Sequence, residues 1–371
     1  MRKAWFVLLL CLLAVMPALA QDTTETPLDV SDADLEPWTC PEGFEGQTLS
    51  VFNWSTYVAE DTISNFEELC GVTVIYDVYE SNEAMLARLR QGNPGYDILV
   101  PTDYVVEIMI QEELIQPIDL SKIPNFRHVA ENLIDTPYDP GNQYSVPYQW
   151  GTLGIGYNQT VVGYELKSWK DLFEYEGPVA WLEDPRAMID IGLMMLGEQP
   201  PATDPEMVFA ARDALLENGG NVVAIAQDDG QALLERGDVH ATIEYSGDIF
   251  QIMDSCECDD FVYVIPEEGA NLWTDNLVIA SGAPNPELAH VFIDYILDPR
   301  VSADIANYTA YGSPNQTAID LGYIDEELLN NPAIYPSEEI SERLYFSAIL
   351  PPEVDQAYAD AWDEVKILLR R

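Results

Sequence analysis

From Leu49 onward, short apolar strands and amphipathic helices alternate, and that order restricts the chain to a sheet covered by helices. The reading begins with a strand at 49–52 that runs into Asn53-Trp54-Ser55. A helix over 60–69 follows, with Ile63, Phe66 and Leu69 spaced for one buried face. Gly71 ends it, a strand covers 72–76, and a helix over 82–90 buries Met85, Leu86 and Leu89. A third strand at 97–101 opens onto Thr102-Asp103-Tyr104, and another helix runs to about residue 113. In parallel or mixed sheets of this kind, ligands lie beyond the carboxyl ends of the strands. Trp54 and Tyr104 each follow a strand end, which puts both at that edge; ordinary packing is the other reading of each.

A strand at 153–157 lies in a crossover region after Val146-Pro147-Tyr148. A second α/β region then follows, with strands at 179–182, 222–225, 241–244 and 261–265 and helices over 189–196, 206–216 and 230–236. A strand at 277–280, a helix over 287–297 and a mainly helical tail from residue 324 complete the order. This is more chain than a single core usually serves, so two lobes are expected. Residues 48–153 with 274–320 make the first, and 154–273 with 321–371 the second.

The first twenty residues read as an export signal. Arg2 and Lys3 precede an apolar stretch, and Ala18-Leu19-Ala20 offers a small-x-small cleavage site. Residues 21–47 are rich in Asp, Glu, Thr and Pro and read as a flexible acidic leader. The whole chain carries a formal charge of -49, and losing Arg2 and Lys3 makes it -51. Such a surface excludes a nucleic-acid partner, because phosphate binding needs basic groups. It attracts cations, although adaptation to salt or simple solubility accounts for most of the carboxylates.

Export permits disulfides among Cys40, Cys70, Cys256 and Cys258. Cys40 with Cys70 would tie the leader to the first helix, while Cys256 and Cys258 could close a small ring or find other partners. No metal site is expected, since Cys256-Glu257-Cys258 lacks the usual two-residue gap and His128, His240 and His290 lie elsewhere. No catalytic motif or cofactor-binding glycine pattern stands out, so the chain reads as a binder rather than an enzyme.

What does stand out is a scatter of aromatic and acidic residues: Trp54, Tyr57, Tyr104, Tyr245, Asp248, Trp273, Asp275 and Tyr311. Aromatic faces and carboxylates together suit a small organic cation, provided the fold gathers them. The bland reading is surface turns with core aromatics.

At these segments the sequence resembles the exported polyamine-binding proteins of bacterial ABC importers. The likeness runs from about residue 49 to 366 and is carried by Phe52-Asn53-Trp54-Ser55-Thr56-Tyr57, Tyr96-Asp97-Ile98-Leu99-Val100-Pro101, Gly154-Ile155-Gly156-Tyr157-Asn158, Pro266-Glu267-Glu268-Gly269 and Ile334-Tyr335-Pro336. The resemblance implies an α/β, two-lobed periplasmic binding-protein clamp of the type II-like kind, with crossing strands and the ligand in the interlobe cleft. It implies that Trp54 and Trp273 flank the ligand, that Tyr57, Tyr104, Tyr245 and Tyr311 add walls, and that Ser55 and Thr102 hydrogen-bond an amine. Asp248, Asp275 and Asp184 would supply carboxylates. The implied partners are a small polyamine and a membrane permease, and a monomer is the default.

Two departures favour a putrescine-like diamine over spermidine. Ala187 falls where relatives carry a glutamate, and Phe346 replaces a polar residue of the spermidine-binding type. Arg186, if it points inward, leaves room for an alternative: another cationic or zwitterionic solute, such as an amino acid derivative.

Overall fold

The strand that opens the domain, β1 (Thr48–Asn53), takes two parallel neighbours, β2 (Thr73–Val78) and β3 (Ile98–Leu99). In the computed structural model, residues 35–227, 229–256 and 259–369 are described. The expected signal peptide and Cys258 lie outside them. Of the expected leader, only residues 35–47 are described, and they do not hang free. Trp38 packs against Phe66 and Tyr295 and donates its indole N–H to Asp294 at 2.9 Å, and Cys40 is disulfide-bonded to Cys70.

Between these strands run α1 (Thr62–Cys70) and α2 (Asn82–Leu89), and β3 leads into α3 (Asp103–Gln111). The alternation read from the sequence is therefore present in these elements, with ends shifted by at most two residues. Gly71, at φ 64°, supplies the left-handed residue that stops α1.

The remaining strands are β4 (Ile115–Gln116), β5 (Ser145–Asn158), β6 (Val179–Leu182), β7 (Val222–Ala226), β8 (Ala241–Tyr245), β9 (Phe261–Val264), β10 (Ala270–Ala280) and β11 (Leu344–Tyr345). Their order is β2-β1-β3-β10-β5-β8-β6-β7, with β4 and β11 beside β10 and β9 beside β5. The antiparallel pair β5 and β10 is the bridge: β10 joins β3 at one end, and β5 joins β8 and β9 at the other.

Separate apolar cores flank this bridge. One gathers Leu49, Phe66, Ile98, Leu277 and Phe292, and another gathers Ile155, Trp169, Trp181, Ile243 and Trp362. The result is a clamp of two lobes joined by crossing strands. Five further helices position the site: α4 (Pro185–Met195), α5 (Pro205–Asn218), α6 (Ser246–Cys256), α7 (Pro286–Ile296) and α8 (Pro299–Thr309).

Candidate ligand-binding site

The strand period of two explains the floor of the cleft. Asn271, Trp273 and Asp275 are alternate residues of β10, so they share one face, and all three line the same cavity. Trp273 and Asp275 therefore stand on a long crossing strand and not in surface turns, the bland reading of the sequence. The pairing of β10 with β5 is irregular beside Asp275: Asp275 pairs with Gln149 and Asn276 with Pro147, so Tyr148 is skipped. Bulges of this kind re-aim side chains next to sites.

The cleft holds about 680 Å³ of space between atoms, open solvent at its mouth included. Strand ends and helix starts supply the rest of its lining. Trp54, Ser55 and Tyr57 follow β1; Thr102 and Tyr104 follow β3; Tyr245 ends β8; Asp248 lies in the first turn of α6; Tyr311 follows α8. Asp184 precedes α4 and lines it too. All eleven residues expected at the site thus meet in one cleft.

Tyr57, Trp273 and Tyr311 form an aromatic corner, with ring centroids 5.2 to 6.4 Å apart, and Tyr245 meets Trp273 edge-on at 5.7 Å. Trp54 is fixed by its indole N–H donating to the Val100 carbonyl at 3.0 Å. Asn82 donates to the Thr102 hydroxyl at 2.9 Å. Gly151 has no Cβ because one there would stand 2.7 Å from the Trp273 ring.

The carboxylates differ in how well they are met. Asp248 accepts from the Tyr311 hydroxyl at 2.7 Å and from Thr56 at 3.3 Å, two donors reaching across the cleft. Burial pushes its pKa up to about 6 against those bonds. Asp275 is 4 % exposed, and burial pushes it to about 8. The hydroxyls of Thr102 and Tyr57 face it and oppose that rise, but too loosely to give Asp275 Oδ1 a hydrogen bond. The Tyr57 hydroxyl and the Trp273 indole N–H are also buried without partners. These polar atoms lack the partners that buried groups normally have.

Asp184 is partly committed elsewhere, since it accepts from the Ala187 amide at 2.9 Å and so caps α4. Arg186 does point inward. Its guanidinium lies over the Tyr104 ring at 4.3 Å, donates to the Ala348 carbonyl at 2.8 Å and pairs with Asp355 at 2.6 Å. The expectation for Phe346 is corrected: it is 56 % exposed and not part of this cleft's lining, where its neighbours Tyr345 and Ser347 stand instead. Sequence reading missed those two, along with Asn82, Leu153, Asp190 and Asn271. The alternation of β10 around Trp273 could have given Asn271. Among the described residues, no cluster of His, Cys, Asp and Glu could hold a metal ion.

The bacterial extracellular solute-binding protein family matches residues 61–336. The chain belongs to that family. Its relatives include the putrescine-binding periplasmic protein SpuD of Pseudomonas aeruginosa, 33% identical over 87% of this chain and 92% of the relative. The spermidine/putrescine-binding periplasmic protein of Escherichia coli is 35% identical over 80% of this chain and 85% of its own. Among solved structures, the spermidine/putrescine ABC transporter substrate-binding protein PotD of Streptococcus pneumoniae superposes with a TM-score of 0.73. It is 31% identical, over 87% of this chain and all of that one. This chain is accordingly an extracytoplasmic solute-binding protein and not an enzyme. No described helix is long and apolar enough to cross a membrane.

Proposed function

We propose that this binding protein captures a small polyamine, a putrescine-like diamine in preference to spermidine, and passes it to the membrane permease of an ABC importer. The observation that carries the reading is Asp275: a buried carboxylate with an unpartnered oxygen, facing a cavity walled by Trp54, Tyr57, Trp273 and Tyr311. An ammonium group meets each of these needs. It ionises the carboxylate, donates up to three hydrogen bonds, and lies against aromatic faces. A desolvated ammonium–carboxylate contact contributes about 1.5–3 kcal/mol, and each cation–π contact about 0.5–2 kcal/mol.

Arg186 supports the shorter ligand. Its own cation already covers the face of Tyr104, a place that a longer polyamine would otherwise use. Its inward position is also what favours the second reading, a zwitterionic amino acid derivative. Against that reading, two of its nitrogens are already engaged by Ala348 and Asp355. In the favoured reading the lobes, 48–153 with 274–320 and 154–273 with 321–371, close as a monomeric clamp by population shift.

Calorimetry of the ligand-free mature protein with putrescine, cadaverine, spermidine and spermine tests the proposal. One saturable site, tightest for a diamine, is expected. Absence of saturable binding by all four would overturn it, and tighter binding of arginine or ornithine would favour the zwitterion.

A further inference from the structure

Asp190 is the buried carboxylate of the cleft that the sequence did not single out. It sits on α4, one turn after Ala187 and therefore on the same face, and it lines the cavity at 5 % exposure. The small Ala187 side chain between Asp184 and Asp190 leaves that face open. The Tyr358 hydroxyl donates to Asp190 Oδ1 at 2.7 Å. The Tyr345 hydroxyl stands beside the carboxylate, buried and without a hydrogen bond of full geometry.

Charge accounting at this end leaves a surplus. The cation there is Arg186, and it pairs with Asp355 at 2.6 Å. Among the described residues, no cation comes within ion-pair distance of Asp184 or Asp190. The surroundings of Asp190 are Tyr345, Tyr358, Arg186 and Asp184, whereas those of Asp275 are Thr102, Tyr57 and Asp103. The two acids thus stand on different lining elements of one cavity, α4 and β10, among different neighbours, and beside each lies a buried polar atom without a partner.

We propose that Asp190, with the Tyr345 hydroxyl, forms a second ammonium subsite, so that the cleft holds a ligand with an amine at each end. This rests on the polyamine reading and adds to it the residue that receives the second amine. Arg186 favours the ionised form of Asp190 from nearby but forms its ion pair with Asp355, which leaves Asp190 to pair with the ligand.

The test compares putrescine with 1-aminobutane, which has the same chain and one amine. In Asp190→Asn, putrescine should bind at least about tenfold more weakly, as loss of a charge-assisted contact requires, while 1-aminobutane changes less than about twofold. Equal losses for both ligands, or none for putrescine, would overturn the subsite. Should that variant not fold, the wild-type protein answers by pH. Protonating Asp190 below about pH 7 should reduce the putrescine to 1-aminobutane affinity ratio, and a constant ratio between pH 5 and pH 8 would overturn the subsite. If wild type binds neither putrescine nor spermidine, the polyamine reading itself fails, an outcome distinct from either of these.

Discussion

A carboxylate taken out of water costs several kcal/mol unless a donor or a cation meets it, and Asp275 has neither in full. Its acidic oxygen therefore waits protonated near neutrality, with burial holding its pKa at about 8. An arriving ammonium reverses that balance and drives the proton off. Asp275→Asn should weaken putrescine binding by about 2–5 kcal/mol, measured by calorimetry, because the amine would be left without a counter-charge. The same change at exposed Asp360 should cost little. Unchanged affinity in Asp275→Asn would put that carboxylate outside the site. At this scale the sequence was informative where an acid stood beside an aromatic, as at Tyr245/Asp248 and Trp273/Asp275. Asp190 was invisible because one more aspartate on a helix carries no signal in so acidic a chain. Phe346 misled because a one-residue difference in an irregular segment decides which side chain faces inward.

At the scale of elements, the strands that matter most were the least legible. Only residues 153–157 and 277–280 of the two crossing strands were read, yet β5 runs from Ser145 to Asn158 and β10 from Ala270 to Ala280. Both are buried on each face, so the alternation that marks a strand is missing. Pro147 and the glycines at 151, 154 and 156 further disguise β5. The helix α6 was missed for a similar reason: Ser246-Gly247-Asp248 reads as a turn, but it is the first turn of a helix. Gly247 is needed there, since a Cβ would stand 2.5 Å from the Tyr311 ring and 2.6 Å from the Thr309 carbonyl. Tyr311 belongs to the opposite core from α6, so this contact sets how closely the two sides of the cleft approach. Gly247→Ala should weaken diamine binding at least about tenfold, worth about 1.4 kcal/mol. It should leave the unliganded protein folded, because alanine is the better helix former by about 1 kcal/mol. Wild-type affinity in this variant, by the same calorimetry, would mean that the contact does not limit closure.

For the whole molecule, the cleft stores its readiness for a cation as a dependence of stability on pH. Burial raises Asp275 to about 8, Asp103 and Asp190 to about 7, and Asp248 to about 6, all far above an unfolded aspartate. Between about pH 4 and pH 8 the folded protein consequently holds more protons than the unfolded chain. Stability is then fully present below the unfolded pKa and is lost as pH rises through the folded values, at about 1.4 kcal/mol per unit for each group being forced to ionise. The ligand-free protein should melt several degrees lower at pH 8 than at pH 6. Repulsion between the ionising cleft acids and the many surface carboxylates acts in the same direction, and 1 M salt, which shortens the screening length to about 3 Å, removes most of that part. The difference that survives in high salt belongs to the buried acids. Saturating putrescine should shrink it, because ammonium groups in the cleft stabilise the ionised forms and release the protons at binding. Calorimetry at pH 7 in buffers of different ionisation enthalpy would register that release directly. A melting temperature that rises from pH 6 to pH 8 in high salt, or binding with no proton released, would show that the carboxylates of the cleft are already ionised and paired before the ligand arrives.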